Sequence, residues 1–181
     1  FTWYQGFTSS AIKMHSIQVL FAVMLLSVVT DSFATGYQYT KHNQPFYLQC
    51  PRGYGLTHIY SRFAPYDRTF HFRCRRNWKI TSFCHWTTFV NRPKGAINHV
   101  CYRGFIMSGI GSTYDRSSKD RRWRYKCCFA FNFSRFTRTR VLNGICRSFN
   151  YATPVGYFFR GLKTTYHSIG DRYWQIYYTK L

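Results

Sequence analysis

The chain contains no glutamate, and only five aspartates stand against 26 lysines and arginines. That scarcity excludes much chemistry. Glycoside hydrolysis needs a pair of carboxylates, and beyond Asp31 only Asp67, Asp115, Asp120 and Asp171 are available. There is no G-x-S-x-G and no H-E-x-x-H, so neither a serine-hydrolase elbow nor a zinc-protease helix is present. No C-x-x-C occurs, and His42, His58, His71, His85, His99 and His167 show no ligand spacing. Cys84 stands beside His85, but neighbouring strand residues point to opposite faces. The chain reads as a non-enzyme with no metal and no cofactor.

Long apolar runs are also scarce. One stretch, Ile17 to Val29, is almost wholly apolar; it follows Met14 and is followed by Ser32-Phe33-Ala34. It is too short to span a bilayer comfortably and has the form of a secretory signal peptide. We therefore expect a leader of doubtful translation over 1–13, a signal peptide over 14–34, and one mature domain over 35–181 that begins near Thr35 or Tyr37. No membrane span is expected. All seven cysteines lie in the mature part, as disulfides of a secreted protein would. Asn132-Phe133-Ser134 is a sequon for N-glycosylation.

The formal net charge is +21, far more than solubility requires. Outside the cell such a protein meets sulfated polysaccharides, anionic surfaces and acidic matrix proteins; a secretory route argues against nucleic acid.

Three of the five acids open the same phrase: DRTF at Asp67, DRRW at Asp120 and DRYW at Asp171. The period is about fifty residues. Before each Asp comes a hydroxyl residue, any residue, then an aromatic: Ser61 to Phe63, Ser112 to Tyr114, Thr164 to Tyr166. Before that lie apolar residues. Each unit thus reads as a strand, a turn and a second strand, and units fall near 50–74, 101–128 and 146–179. After each Asp the chain alternates. Arg121, Trp123, Tyr125 and Cys127 share one face, as do Arg68, Phe70, Phe72 and Cys74, and Arg172, Trp174, Ile176 and Tyr178. The other face carries Thr69, His71, Arg73; Arg122, Arg124, Lys126; and Tyr173, Gln175, Tyr177. We expect an all-β domain of three pseudo-equivalent hairpins, with long Gly- and aromatic-rich connections and little helix. Each Asp is placed to fix a turn through local N–H groups. Each Arg, on a burying face, needs a partner, and an Asp of a neighbouring unit is the natural one.

These phrases, the Cys127-Cys128 pair, NQPFYLQCPRGYG from Asn43 to Gly55, and YFFRGLKTTYHSIGDRYWQI from Tyr157 to Ile176 resemble the dermatopontin family. The resemblance covers roughly residues 37–181. It implies a secreted, disulfide-bonded protein of the extracellular matrix, associated with proteoglycans, dermatan sulfate, collagen and adhesion. Relatives that agglutinate or aggregate cells, or that belong to shell matrix, supply the alternative reading. Two departures stand out: Phe70 replaces a Trp, and Thr179 stands where a Cys normally closes the last unit, which leaves Cys146 without an evident partner. There is no Arg-Gly-Asp.

Cys50 and Cys74 flank the first hairpin and are expected to pair. Cys84 and Cys101 are expected to bond to Cys127 and Cys128, in either order. Cys146 is then free and buried, or links two chains into a dimer. For polyanion binding the candidates are Arg73, Arg75, Arg76 and Lys79; Arg122, Arg124 and Lys126 on the outer face of the middle strand; and Arg135, Arg138, Arg140 and Arg147 in a polar connection without periodicity. Arginine forks onto sulfate much as onto phosphate.

Overall fold

The computed structural model describes residues 38–181. The leader and signal peptide expected over 1–34, and the mature start near Thr35 or Tyr37, lie outside the described residues. Within them are twelve β-strands and no helix. Three antiparallel hairpins carry the DR phrases. They are β3 (Tyr54–Ala64) with β4 (Asp67–Arg76), β7 (Phe105–Asp115) with β8 (Asp120–Ala130), and β11 (Tyr157–His167) with β12 (Asp171–Lys180). The aromatics before each turn face the arginines across the ladder: Phe63 opposite Arg68, Tyr114 opposite Arg121, Tyr166 opposite Arg172.

The long connections expected between the hairpins hold six short strands. They are β1 (Gln38–Tyr39), β2 (Phe46–Gln49), β5 (Ile80–Trp86), β6 (Ile97–Val100), β9 (Thr137–Val141) and β10 (Phe149–Ala152). Alternation over two to seven residues is too brief to stand out from a loop. In β9 no side chain is buried, so there is no burial pattern to read.

These strands complete the sheets of other units. The sheets have the orders β1-β4-β3-β10, β2-β7-β8-β5 and β6-β11-β12-β9. The segment with β1 and β2 therefore joins the first hairpin to the second, that with β5 and β6 joins the second to the third, and that with β9 and β10 joins the third back to the first. The architecture is a closed cycle of three. A bulge recurs at one place in each hairpin, between Leu56 and His58, Met107 and Gly109, and Phe159 and Gly161. It turns a carbonyl outward: Thr57, Ser108 and Arg160 accept the backbone N–H of Thr153, Cys50 and Cys101. Thr153, not Cys146, is thus the third unit's counterpart of Cys50 and Cys101. At Gly161 a side chain is impossible, because a Cβ there would lie 2.2 Å from the His99 carbonyl of β6.

Alternation on β4, β8 and β12 places the expected residues inside. At the centre Phe70, Trp123 and Trp174 form a triangle, with centroids 5.1 to 5.3 Å apart and rings steeply inclined to one another. Edge-to-face contacts of this kind add to the burial of the rings themselves. Leu56, Ile59, Phe72, Ile110, Tyr125, Leu162 and Ile176 extend this core. A second cluster, Ile80, Ile106, Cys128, Ala130, Phe158 and Leu181, fills the open ends of the hairpins. His71 departs from the expected outer face: it is buried, because Tyr39 of β1 stacks on it at 4.4 Å.

Three disulfides are present: Cys50–Cys74, Cys84–Cys128 and Cys101–Cys127. The first is the expected pair, and the order of the other two is now fixed. Each closes a loop of a size that stabilises by roughly 3–4 kcal/mol in the chain-entropy model.

Candidate functional site

The hairpin turns gather at one end of the described domain. Tyr66 lies against Gly170, and the Lys119 ammonium stands 4.3 Å from the Tyr66 ring centre. Just beneath, each DR arginine forks onto the aspartate of another unit. Arg121 holds Asp67 at 2.6 and 2.7 Å, Arg172 holds Asp120 at 3.0 and 2.5 Å, and Arg68 holds Asp171 at 2.5 and 2.7 Å. Every one of these side chains is at least nine-tenths buried. Each carboxylate also accepts a backbone N–H: from Asn43 to Asp67, Lys94 to Asp120 and Cys146 to Asp171, at 2.6 to 2.7 Å. All three donors have left-handed backbone, with φ of 54°, 60° and 58°. Each guanidinium then donates to the carbonyl that follows: Gln44, Gly95 or Arg147. Aromatic rings flank it, Phe63 and Phe149 about Arg68, Phe46 and Tyr114 about Arg121, Tyr166 beside Arg172. Burial, with Asp67 and Asp120 nearby, pushes the Tyr114 phenol up, and Tyr166 is pushed up by burial and Asp120.

The acids therefore do not fix their own turns through local N–H groups. Their backbone donors come from connections more than twenty residues away. The local role belongs to Asp115, which accepts from the Ser117 N–H and the Ser117 and Ser118 hydroxyls. That hydrogen bonding holds the Asp115 carboxyl below its ordinary range. Sequence reasoning also missed Asn91 and Asn143. Their amides donate to the carbonyls of Arg121 and Arg172 and accept from the N–H of Trp123 and Trp174. Thr40 accepts from Phe70 at the matching place in the first unit. An Asn three residues before each clasp donor was the available signal in units two and three; a Thr in the first hides the repeat.

With its charges consumed by one another, the ring is an architectural clasp. The described residues hold no group of three or more His, Cys, Asp or Glu suited to a metal ion. The other candidate cations lie elsewhere. Arg122, Arg124 and Lys126 follow one another along the outer face of β8. Arg124 is held between Tyr47 at 4.2 Å and Trp86 at 5.1 Å, and Arg122 lies over Phe89 at 4.1 Å. Arg138 and Arg140 are not in an irregular connection but point to one side of β9. Arg73 is on the outer side of β4, while Arg75, Arg76 and Lys79 follow toward the open end of that hairpin. Arg135 and Arg147 are exposed in connections. The candidates thus occupy several faces; those on β8 make the longest row, and Arg138, 5.1 Å from the Tyr157 ring centre, makes a shorter one with Arg140.

Asn132 is exposed at the end of β8. Cys146 is exposed, not buried, and has no disulfide. Nor is it the orphan of a bridge to Thr179. Thr179 lies opposite Thr137 in the ladder, as Cys128 lies opposite Cys84, and its hydroxyl bonds to the Ser134 and Phe136 carbonyls. The bridge that the third unit lacks is therefore 137–179.

A cyclic, disulfide-stapled β protein whose three units are clasped through DR pairs defines the class. The dermatopontin family model matches residues 40–181, and the chain belongs to the dermatopontin family. Millepora cytotoxin-1 of Millepora dichotoma is 26% identical over 71% of this chain and 59% of its own length. Dermatopontin of Biomphalaria glabrata is 30% identical over 47% of this chain and 58% of its own. A hemagglutinin/amebocyte aggregation factor of Limulus polyphemus is 30% identical over 30% of this chain and 33% of its own. The alignments span less than two thirds of each relative. No solved structure matches the chain.

Proposed function

We propose that the protein is an extracellular matrix and adhesion protein that holds sulfated glycans, dermatan sulfate or heparin-like chains, on the outer face of β8. The observation that carries this is the row Arg122, Arg124, Lys126. Alternate residues of a strand stand roughly 7 Å apart, so three cations, Arg122 exposed and Arg124 and Lys126 half-buried, stand in line on the outer face. Aromatic contacts preset the two guanidiniums, which lowers the ordering cost of forking onto sulfate. All four described aspartates lie at the turn end, so no carboxylate competes along that row. Three disulfides suit an oxidising, secretory setting. Collagen and proteoglycan cores are further partners in this reading, and the exposed Cys146 offers a covalent link to a second chain.

The test is retention on immobilised dermatan sulfate or heparin under a salt gradient. Elution well above physiological salt, and a ten- to hundred-fold loss of affinity in Arg122→Ala/Arg124→Ala/Lys126→Ala, is expected from about 0.5–1 kcal/mol per exposed pair. Passage through the column at physiological salt overturns the reading. Release by a particular neutral sugar instead favours a lectin-like pocket. Tyr47 and Trp86, ring to edge at 6.3 Å beside Arg124, supply a stacking surface for such a sugar.

A further inference from the structure

The two ends of the described domain differ in kind. Asp67, Asp115, Asp120 and Asp171 all stand where hairpins turn. The opposite end, where hairpins open, has no acid among the described residues. It carries instead six of the twelve large apolar side chains that the described residues expose, among them the four most exposed; Tyr66 and Ile169, at the turn end, are only about half exposed. Trp78 is 78% exposed, Phe83 70%, Tyr102 79%, Phe131 52%, Phe136 84% and Val155 86%.

Their place at one end follows from the topology. Trp78 sits in the turn from β4 to β5, and the Phe131 N–H donates to the Lys79 carbonyl beside it. Tyr102 and Val155 precede β7 and β11, in turns closed by the N–H of Phe105 on Tyr102 and of Tyr157 on Pro154. Phe136 precedes β9, which pairs with the last residues of β12. Phe83 and Phe131 belong to a chain of ring contacts through Phe105 and Phe129, with centroids 5.4 to 5.9 Å apart. Among these residues stand the exposed cations Arg52, Arg76, Arg103 and Arg135 and the half-buried Lys79.

Scattered exposed apolar residues need no explanation, but a set gathered at one end does. A sulfated chain would take the arginines and has no use for projecting Phe and Val. A bilayer surface takes both: aromatic rings settle at the headgroup boundary while Lys and Arg meet anionic lipid, and two weak signals together hold a protein there. We propose that the open end seats on an anionic bilayer surface, with Trp78, Phe131 and Phe136 entering the headgroup region and the surrounding arginines on lipid phosphates and carboxylates. This surface lies beyond the end of the β8 row, where Lys126 shares a cleft with Arg52, while Arg122 and Arg124 stand nearer the turn end. A glycan on Asn132, next to Phe131, would hold that edge off the membrane, so both forms belong in the test.

The experiment is co-sedimentation with phosphatidylcholine vesicles, with and without phosphatidylserine, using the secreted protein and the Ser134→Ala variant, which lacks the sequon and is the form expected to bind. Binding to the phosphatidylserine vesicles is expected, with brominated lipid quenching tryptophan emission and Trp78→Phe removing most of that quenching. Trp78→Ser/Phe131→Ser/Phe136→Ser should weaken partitioning at least roughly tenfold with unchanged melting, since these side chains are outside the core. Arg122→Ala/Arg124→Ala should bind vesicles normally while weakening on heparin, which separates this proposal from the glycan reading. No binding to phosphatidylserine vesicles, or binding that the apolar triple variant leaves intact, overturns it. In the latter case charge alone is at work.

Discussion

Arg121→Ala measures what the clasp contributes. The substitution leaves the Asp67 carboxylate buried with the Asn43 N–H as its remaining partner, and strips a donor from the Gln44 carbonyl. Removing one member of a buried ion pair costs about 3–5 kcal/mol, because the surviving charge stays desolvated. A domain of this size melts lower by a few degrees per kcal/mol, so thermal unfolding should shift down by roughly 10–20 °C. The loss resides in the uncompensated charge, not in the absence of a salt bridge as such. Asp67→Leu/Arg121→Met, which removes both charges and keeps apolar volume, should therefore recover most of the stability. Calorimetry or circular dichroism on the two variants decides. A melting change under about 1 kcal/mol in the single variant refutes the reasoning, as does a double variant no better than the single. Heparin retention of Arg121→Ala, read well below its melting point, should equal that of the parent; unchanged melting with lost retention would make the ring a ligand site.

Other outcomes follow from the cycle of equivalent positions. Thr137→Cys/Thr179→Cys should form a fourth bridge, since these residues face each other as Cys84 and Cys128 do, and should stabilise by about 4 kcal/mol, seen as a reductant-sensitive rise in melting temperature. One thiol, that of Cys146, should react with a thiol reagent under native conditions, and Cys146→Ser should abolish both the reaction and any reductant-sensitive dimer. His58, His71 and His99 have pKa values lowered from 6.5, first by burial, and then by Arg73 and other histidines. The unfolded chain takes up their protons first, so their contribution is full above pH 6.5 and is lost as pH falls through the lowered values; melting temperature should decline from pH 7.5 to 5. His58→Gln should blunt that decline.

The three hairpins were legible because alternation over eight or more residues, begun by the same two letters, leaves little choice of face. Arg121, Trp123, Tyr125 and Cys127 lie inside as their period required. That each Arg must find an Asp was legible from scarcity: so few acids leave few partners. The direction of exchange around the ring was not, since either neighbour satisfies the same count. The connecting strands escaped because their partners lie in other units, and β9, exposed along its length, carries no hydrophobic signal. The β8 row was visible in the alternation, whereas the aromatics that hold its arginines arrive from β2 and from the segment at Trp86 and Phe89, a contact only the tertiary fold creates.

The closure of β10 onto β3 has a consequence for growth. In a solenoid each repeat touches only its neighbours, so one more or one fewer leaves the rest standing. Here every hairpin borrows both edge strands from other segments, and three carboxylates, three guanidiniums and three rings meet about one axis. A fourth unit would push Phe70, Trp123 and Trp174 out of contact; a missing connection and hairpin would leave one sheet without an edge strand, one edge strand without a sheet, and one carboxylate without its arginine. The number three is thus a property of the whole ring, and duplication or loss of a single repeat is closed to it as a path of change.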